Sequence, residues 1–270
     1  MGLIRRRIAC VLALVALLAR VARADEESTE ELAKKTQNPV ADLISVPFQN
    51  NFNFNAGPNE RNVYVLNVQP VIPIHITRDW NLITRVITPI INLPELAPGV
   101  GSASGLGDIN PTFFLSPANA KEFIWGVGPT FTFPTASDDL LGTGKWSAGP
   151  SAVALLMKGH WVVGALANQQ WSFAGWGDHD VNQMLMQPFV NYNFKHGWYL
   201  VSAPIMTADW TAGTGQKFLV PVGGGAGKLW RVGKVGLPVN TQLQGFYNAQ
   251  RPDFDPNWQL RVQVQLLFPK

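Results

Sequence analysis

A single cysteine, Cys10, stands in the 270-residue chain, which excludes a disulfide framework and any cysteine pair for metal ligation or redox exchange. Charge is scarce as well: Asp, Glu, Lys and Arg make up 14% of the residues, against about 25% in soluble domains. Long apolar runs are also missing. Although 46% of the residues are hydrophobic, the longest unbroken run, Ile8 to Ala19, falls short of the roughly 20 residues that a helix needs to cross a bilayer. Beyond Ile44 no stretch keeps a helical period. A chain this apolar, without a spanning helix, must hide its surplus in a large core or turn it toward lipid through a closed sheet.

The first residues explain the apparent basicity. Arg5, Arg6 and Arg7 lead into the apolar run, and Ala22-Arg23-Ala24 precedes Asp25, the charge and cleavage pattern of a secretory signal over residues 1–24. That segment holds five of the 21 basic residues and none of the 18 acidic ones. The remainder carries 16 basic against 18 acidic residues, so no nucleic-acid partner is expected. Cys10 leaves with the signal. Residues 25–43 then form an N-terminal segment, with Glu30 and Glu31 ahead of Lys34 and Lys35, an order that favours a short helix, followed by a linker through Asn38-Pro39.

From Ile44 onward, twelve segments have strand character: 44–56, 62–76, 80–92, 108–117, 123–133, 146–157, 161–173, 181–194, 198–210, 217–228, 235–248 and 257–268. Their connections alternate between tight turns (77–79, 118–122, 158–160, 195–197 and 229–234) and longer loops (93–107, 134–145, 174–180, 211–216 and 249–256). Short turns at one end and long loops at the other predict an all-β, antiparallel, up-and-down transmembrane β-barrel over residues 44–270, with both termini on the periplasmic side.

The faces of the segments support the same architecture. In 257–268, Trp258, Leu260, Val262, Val264, Leu266 and Phe268 alternate with Gln259, Arg261, Gln263 and Gln265, an apolar side against a side of amides and one guanidinium. In 123–133 the second face is Ile124, Gly126, Gly128, Thr130 and Thr132. A solvated sheet would carry Lys and Glu there; amides, Thr and Gly suit a crowded, wet interior. Nine of the ten tryptophans fall at or near predicted strand ends, where membrane interfaces attract indole rings. Seven prolines (Pro47, Pro70, Pro129, Pro150, Pro188, Pro204 and Pro221) lie inside the predicted strands, each removing one ladder bond and so pointing to bulges.

Few residues suggest chemistry. Val222 to Lys228 has the glycines of a phosphate loop, but Val222 stands where glycine is needed and Leu229 where Ser or Thr is needed. Gly223, Gly225 and Gly227 share one face and favour close approach or curvature of a wall. His75, His160, His179 and His196 are scattered, and Asp178-His179-Asp180 offers too few donors for a cation site. An embedded lipid hydrolase would hold serine and histidine together on one strand, whereas Ser172 and His179 flank a bend. The expectation is therefore a chain that is not an enzyme and takes no cofactor and no metal. The predicted lumen is lined by Asn67, Gln69, Asn81, Arg85, Asp108, Asn110, Gln187, Asn191, Gln242, Gln244, Arg261 and Gln263, inside a wall with a backbone radius of roughly 12 Å.

Residues 37–51 (QNPVADLISVPFQNN), 221–228 (PVGGGAGK) and 251–270 (RPDFDPNWQLRVQVQLLFPK) resemble the family of outer-membrane proteins named for the meta-cleavage pathway of phenol degradation, some of which bear a neuromedin U label. The resemblance covers residues 25–270 and implies a porin-like barrel in the outer membrane of a Gram-negative bacterium. Its implied partners are membrane lipid, the outer-membrane insertion machinery and a small solute of unknown identity. Phe268 stands where outer-membrane proteins end in an aromatic residue, although Pro269 and Lys270 follow it. The expected function is passive transport of small, aromatic or otherwise poorly charged solutes. The alternative is a closed structural or surface-interaction barrel acting through loops 93–107 and 134–145. A soluble periplasmic barrel with its apolar faces turned inward is the third reading.

Overall fold

The computed structural model describes residues 29–177, 179–233 and 236–268. The expected signal at 1–24, and Asp178, Pro269 and Lys270, lie outside the described residues. A short helix α1 (Thr29–Thr36) is followed by fifteen strand pieces: β1 (Ile44–Ala56), β2 (Arg61–Val68), β3 (Val71–His75), β4 (Trp80–Leu93), β5 (Ala103–Leu106), β6 (Asn110–Pro117), β7 (Phe123–Thr132), β8 (Lys145–Lys158), β9 (Trp161–Gly175), β10 (Asn182–Asn193), β11 (Trp198–Ser202), β12 (Met206–Asp209), β13 (Phe218–Val232), β14 (Leu237–Gln250) and β15 (Trp258–Phe268). All pair antiparallel in chain order. The sheet closes where β15 meets β1, from Ile44 opposite Phe268 to Phe54 opposite Trp258. Because β2 and β3, β5 and β6, and β11 and β12 are interrupted pieces of single strands, the wall is a closed barrel of twelve strands.

The prolines mark where the wall departs from regularity. Pro70 separates β2 from β3, and Pro204 separates β11 from β12. Pro221 sits at the register shift between β13 and β14, and Pro129 falls in the gap of the β6–β7 ladder between Thr112↔Thr130 and Leu115↔Val127. A missing N–H explains each break. Lumenal side chains repair one of them: the Ala203 amide donates to Gln244 Oε1 at 3.1 Å, and the Ala203 carbonyl accepts from Arg261 Nη1 at 2.8 Å. Such repair is needed because an unpaired backbone group inside a membrane costs several kcal/mol. The tight turn expected at 229–234 lies later in the chain, since the β13–β14 ladder continues to Val232 opposite Leu237.

Alternation sets the two faces of the wall. Trp258, Val264, Leu156, Val163, Val190, Leu200 and Leu243 are exposed on the outside, while Arg261, Gln265, Leu155, Val162, Asn191, Val201 and Gln244 on the same strands are buried inside. Gly227 shows why small residues are needed on the inner face of β13. The Tyr199 ring lies across it and reaches Asn240 Oδ1 at 2.7 Å, and a Cβ at position 227 would stand 2.3 Å from Tyr199 Cζ. Gly227→Val therefore displaces a ring that is 1% exposed, at a cost of about 1–3 kcal/mol for overpacking. Gly245→Ala, with nothing within 4 Å of its added carbon, serves as the neutral control. Heat-induced unfolding of the barrel, followed by gel mobility in SDS, should fall for the first and stay unchanged for the second.

Candidate functional site

The exterior identifies the solvent. An apolar belt runs between two aromatic girdles. Trp80 packs edge-on against Trp125, and Trp161 against Tyr192, near the short turns. Near the long loops stand Trp146 on Phe133, Trp210 on Phe218 and Tyr247 on Trp258. From Trp161 to Trp171 along β9, both exposed, a tilted strand rises about 25 Å, the height of an outer-membrane apolar band. Lys228 snorkels at the lower girdle, its ammonium 3.9 Å from the Trp230 ring centroid and 4.7 Å from that of Trp198.

The interior is divided. Across β14, β15, β1, β2 and β4 the inner face is polar. Arg261 donates from Nε to Asn51 Oδ1 at 3.2 Å and from Nη2 to Gln259 Oε1 at 3.2 Å, and its guanidinium lies 4.9 Å above the Phe246 ring. Arg85 donates to Gln69 Oε1 at 2.6 Å, and Gln69 donates in turn to Gln49 Oε1 at 2.8 Å. On β4 to β10 the inner face toward the short turns instead forms a dry cluster, Ile83, Phe114, Ile124, Val153, Leu155, Val162, Leu166 and Phe189, closed by Val40 from the N-terminal segment, while Thr112, Thr130, Ser147 and Ser151 keep the half toward the long loops polar. The wet interior expected from the amides is thus interrupted by an apolar patch near the short-turn end.

The N-terminal segment fills the mouth at the short-turn end. Leu32 and Ala33 of α1 pack on Leu229 and Leu267, and Gln37 exchanges two hydrogen bonds with Asn193, at 2.8 and 3.1 Å. On the opposite side Asp42 Oδ2 lies 3.4 Å from His75 Nε2. The segment therefore spans the opening from the β10–β11 turn to the β3–β4 turn. Above it lies a cavity of 140 Å³ bounded by Lys35 to Pro39, Ala41 and Leu43 of the segment and by the polar wall.

Of the residues expected in the lumen, Gln69, Arg85, Gln187, Asn191, Gln242, Gln244, Arg261 and Gln263 border this cavity. Asn67 faces inward opposite Gln49, and Asn81 is buried near the mouth, holding His75 Nδ1 at 2.8 Å. Asn110 sits higher, tied to Thr130, Phe131 and Thr132. Asp108 is elsewhere. Its carboxylate accepts from the amides of Ala136 and Thr143, at 3.2 and 2.7 Å, and from the Thr143 hydroxyl at 3.1 Å, so it clamps two long loops together. Sequence reasoning missed Gln37, Val40 and the apolar wall. A signal for the wall exists, since Val153, Leu155 and their neighbours Ala154 and Leu156 make the lower part of β8 apolar on both faces, the mark of a strand buried on both sides.

A closed antiparallel barrel with a lipid-facing belt belongs in the bacterial outer membrane. The fold is that of an outer-membrane β-barrel. Solved structures agree: an outer membrane channel from Pseudomonas putida F1 is similar at TM-score 0.62 and 18% identity, over 91% of this chain and 100% of that one. Outer membrane phospholipase A of Salmonella typhi, a dimer with bound calcium, is similar at TM-score 0.44 and 14% identity, over 92% and 99% of the two chains. The Escherichia coli phospholipase gives TM-score 0.44 and 13% identity, over 84% and 98%. No family model and no curated protein matches the chain.

One expectation is corrected by these neighbours. The reading of this chain as not an enzyme does not stand, because an enzyme, outer membrane phospholipase A, is among the solved structures of similar architecture. The exclusion rested on how Ser172 and His179 are spaced along the chain. A barrel wall brings residues of different strands together, so spacing along one segment is no test. The likeness at TM-score 0.44 in turn assigns no lipase activity to this chain.

Proposed function

We propose that the barrel is an outer-membrane channel for passive passage of small, aromatic or otherwise poorly charged solutes, with residues 29–43 as the closed gate of its periplasmic mouth. The observation that carries this reading is the cavity itself, whose walls are shared between lumenal amides and the gate segment. A solute in it exchanges water for amide partners on one side and meets Phe189 and Val201 on the other, which favours molecules with an apolar body over small, strongly hydrated ions. The resemblance to the phenol-degradation family supports the aromatic part of this reading. Lipid contacts the belt, and insertion machinery recognises the last strand, which ends in Phe268 within the described residues.

Proteoliposome swelling tests the channel. Glycerol-sized and phenol-sized neutral solutes should enter, with rates falling steeply for disaccharides. Complete impermeability of a folded barrel, with and without its N-terminal segment, would sink the proposal. The Asp108 clamp between the two long loops supports a second reading, in which those loops bind a surface partner. Deleting residues 134–142 should then abolish surface binding while leaving solute passage unchanged.

A further inference from the structure

We infer that the cavity is a binding site for an amphipathic monoanion, a carboxylate carried on a body the size of one aromatic ring, with Arg85 taking the carboxylate. The inference deepens the channel reading and rests on it only for how the ligand arrives. Charge is the first ground. Arg85 and Arg261 border the cavity, and none of the described residues lining it is acidic. The acceptors met by both guanidiniums are neutral amides and a carbonyl, which satisfy N–H groups and leave the charge uncompensated. A buried cation without a counter-ion is costly, and an arriving anion relieves that cost.

Donor supply distinguishes the two arginines. A guanidinium has five N–H donors in a planar fork that matches a carboxylate. Arg261 is only 1% exposed, commits three donors to Asn51, Ala203 and Gln259, and lies on Phe246. It is locked, and contributes field. Arg85 commits one donor, to Gln69, and is only partly buried, so its fork remains open to the cavity.

Shape supplies the rest. Val71 stands directly opposite Arg85 in the β3–β4 ladder, which puts an apolar side chain within about 5 Å of it on the same face. Val71 packs against the dry cluster, which includes Phe189, and both border the cavity. A ligand fixed at Arg85 by its carboxylate therefore lays its body on apolar surface. The volume of 140 Å³ is close to the roughly 150 Å³ of an engineered cavity that holds benzene.

Calorimetric titration of the full chain in lipid nanodiscs with benzoate, benzamide and acetate reads the site. Benzoate should bind saturably, one per barrel, and benzamide and acetate about tenfold more weakly or worse, the loss of one charge-assisted contact or of the apolar body. Arg85→Gln should bring benzoate down to the benzamide level without altering benzamide. Arg85→Lys should keep part of the preference, because the charge remains and the fork is lost. Each variant is first shown to be folded by its mobility in SDS before heating. Equal binding of benzoate and benzamide, equal binding of benzoate and acetate, or indifference of benzoate to Arg85→Gln overturns the inference. A barrel that passes neutral solutes yet shows no benzoate preference loses the site and keeps the channel. One that binds benzoate through Arg85 but passes nothing keeps the site and loses the channel.

Discussion

Removing residues 29–40 should raise single-barrel conductance in planar bilayers about tenfold while leaving a folded, heat-resistant barrel, because a plug occupying a twelve-stranded lumen controls most of its open cross-section. The wall does not need the plug. Its ladder closes through β15 and β1, and through β9 and β10, and in each case the pairing is between strands alone. What the segment contributes is side-chain contact: Leu32 and Ala33 on Leu229 and Leu267, Val40 on the dry cluster, and the paired amides of Gln37 and Asn193. Deletion leaves Asn193 with one remaining acceptor, the His160 carbonyl at 3.1 Å, and opens its other positions to water, which is a mild penalty in a wet mouth. Conductance unchanged by the deletion would show that the dry cluster, and not the segment, closes the lumen. Gln37→Ala should act in the same direction with a smaller effect, since it removes the amide pair and keeps Val40 in place.

Strands and turns were legible because a membrane barrel places two solvents on the two sides of one ribbon. Apolar and polar residues alternate without a fault from Trp258 to Leu266, and β15 occupies Trp258–Phe268. The interior was harder to read for a physical reason. Alternation tells which residues point inward but not what they meet there, and Leu155 and Gln265 are equally inward and equally buried in different surroundings. Arg261 and Arg85 could be named as inward from period two alone. Their different freedom depends on Pro204, whose break leaves the Ala203 carbonyl for Arg261 to satisfy, a contact across 58 residues of chain. Asp108 was misleading because it belongs to a predicted strand by spacing, while the wall is interrupted between β5 and β6 and leaves it to the loops. The plug showed as a charged helix and a linker; nothing around Val40, in the run Asn38-Pro39-Val40-Ala41, tells which surface it meets.

Val40→Asp should release the plug more completely than any cavity-forming change at the same site. Val40 is 5% exposed among Ile83, Phe114, Val153 and Leu155, and the nearest approach of Gly126 to it is tight enough that an added carbon there would lie 3.2 Å from Val40 Cγ1. Val40→Ala loses about 1–2 kcal/mol of burial and leaves a small void, which weakens docking while the amide pair and α1 still hold. An aspartate in that position must either lose its charge or leave the cluster, and burying a carboxylate without a partner costs several kcal/mol or more. Leaving is the cheaper course, because the segment is held on the wall by side-chain contacts, whereas the barrel ladder is paired strand to strand. The expected signature is pH-dependent: conductance near that of the 29–40 deletion at pH 7, falling toward the intact level as the carboxyl protonates in acid. If Val40→Asp instead abolished the heat-resistant barrel, the dry cluster would have to be part of the folding core and not merely the seat of a gate.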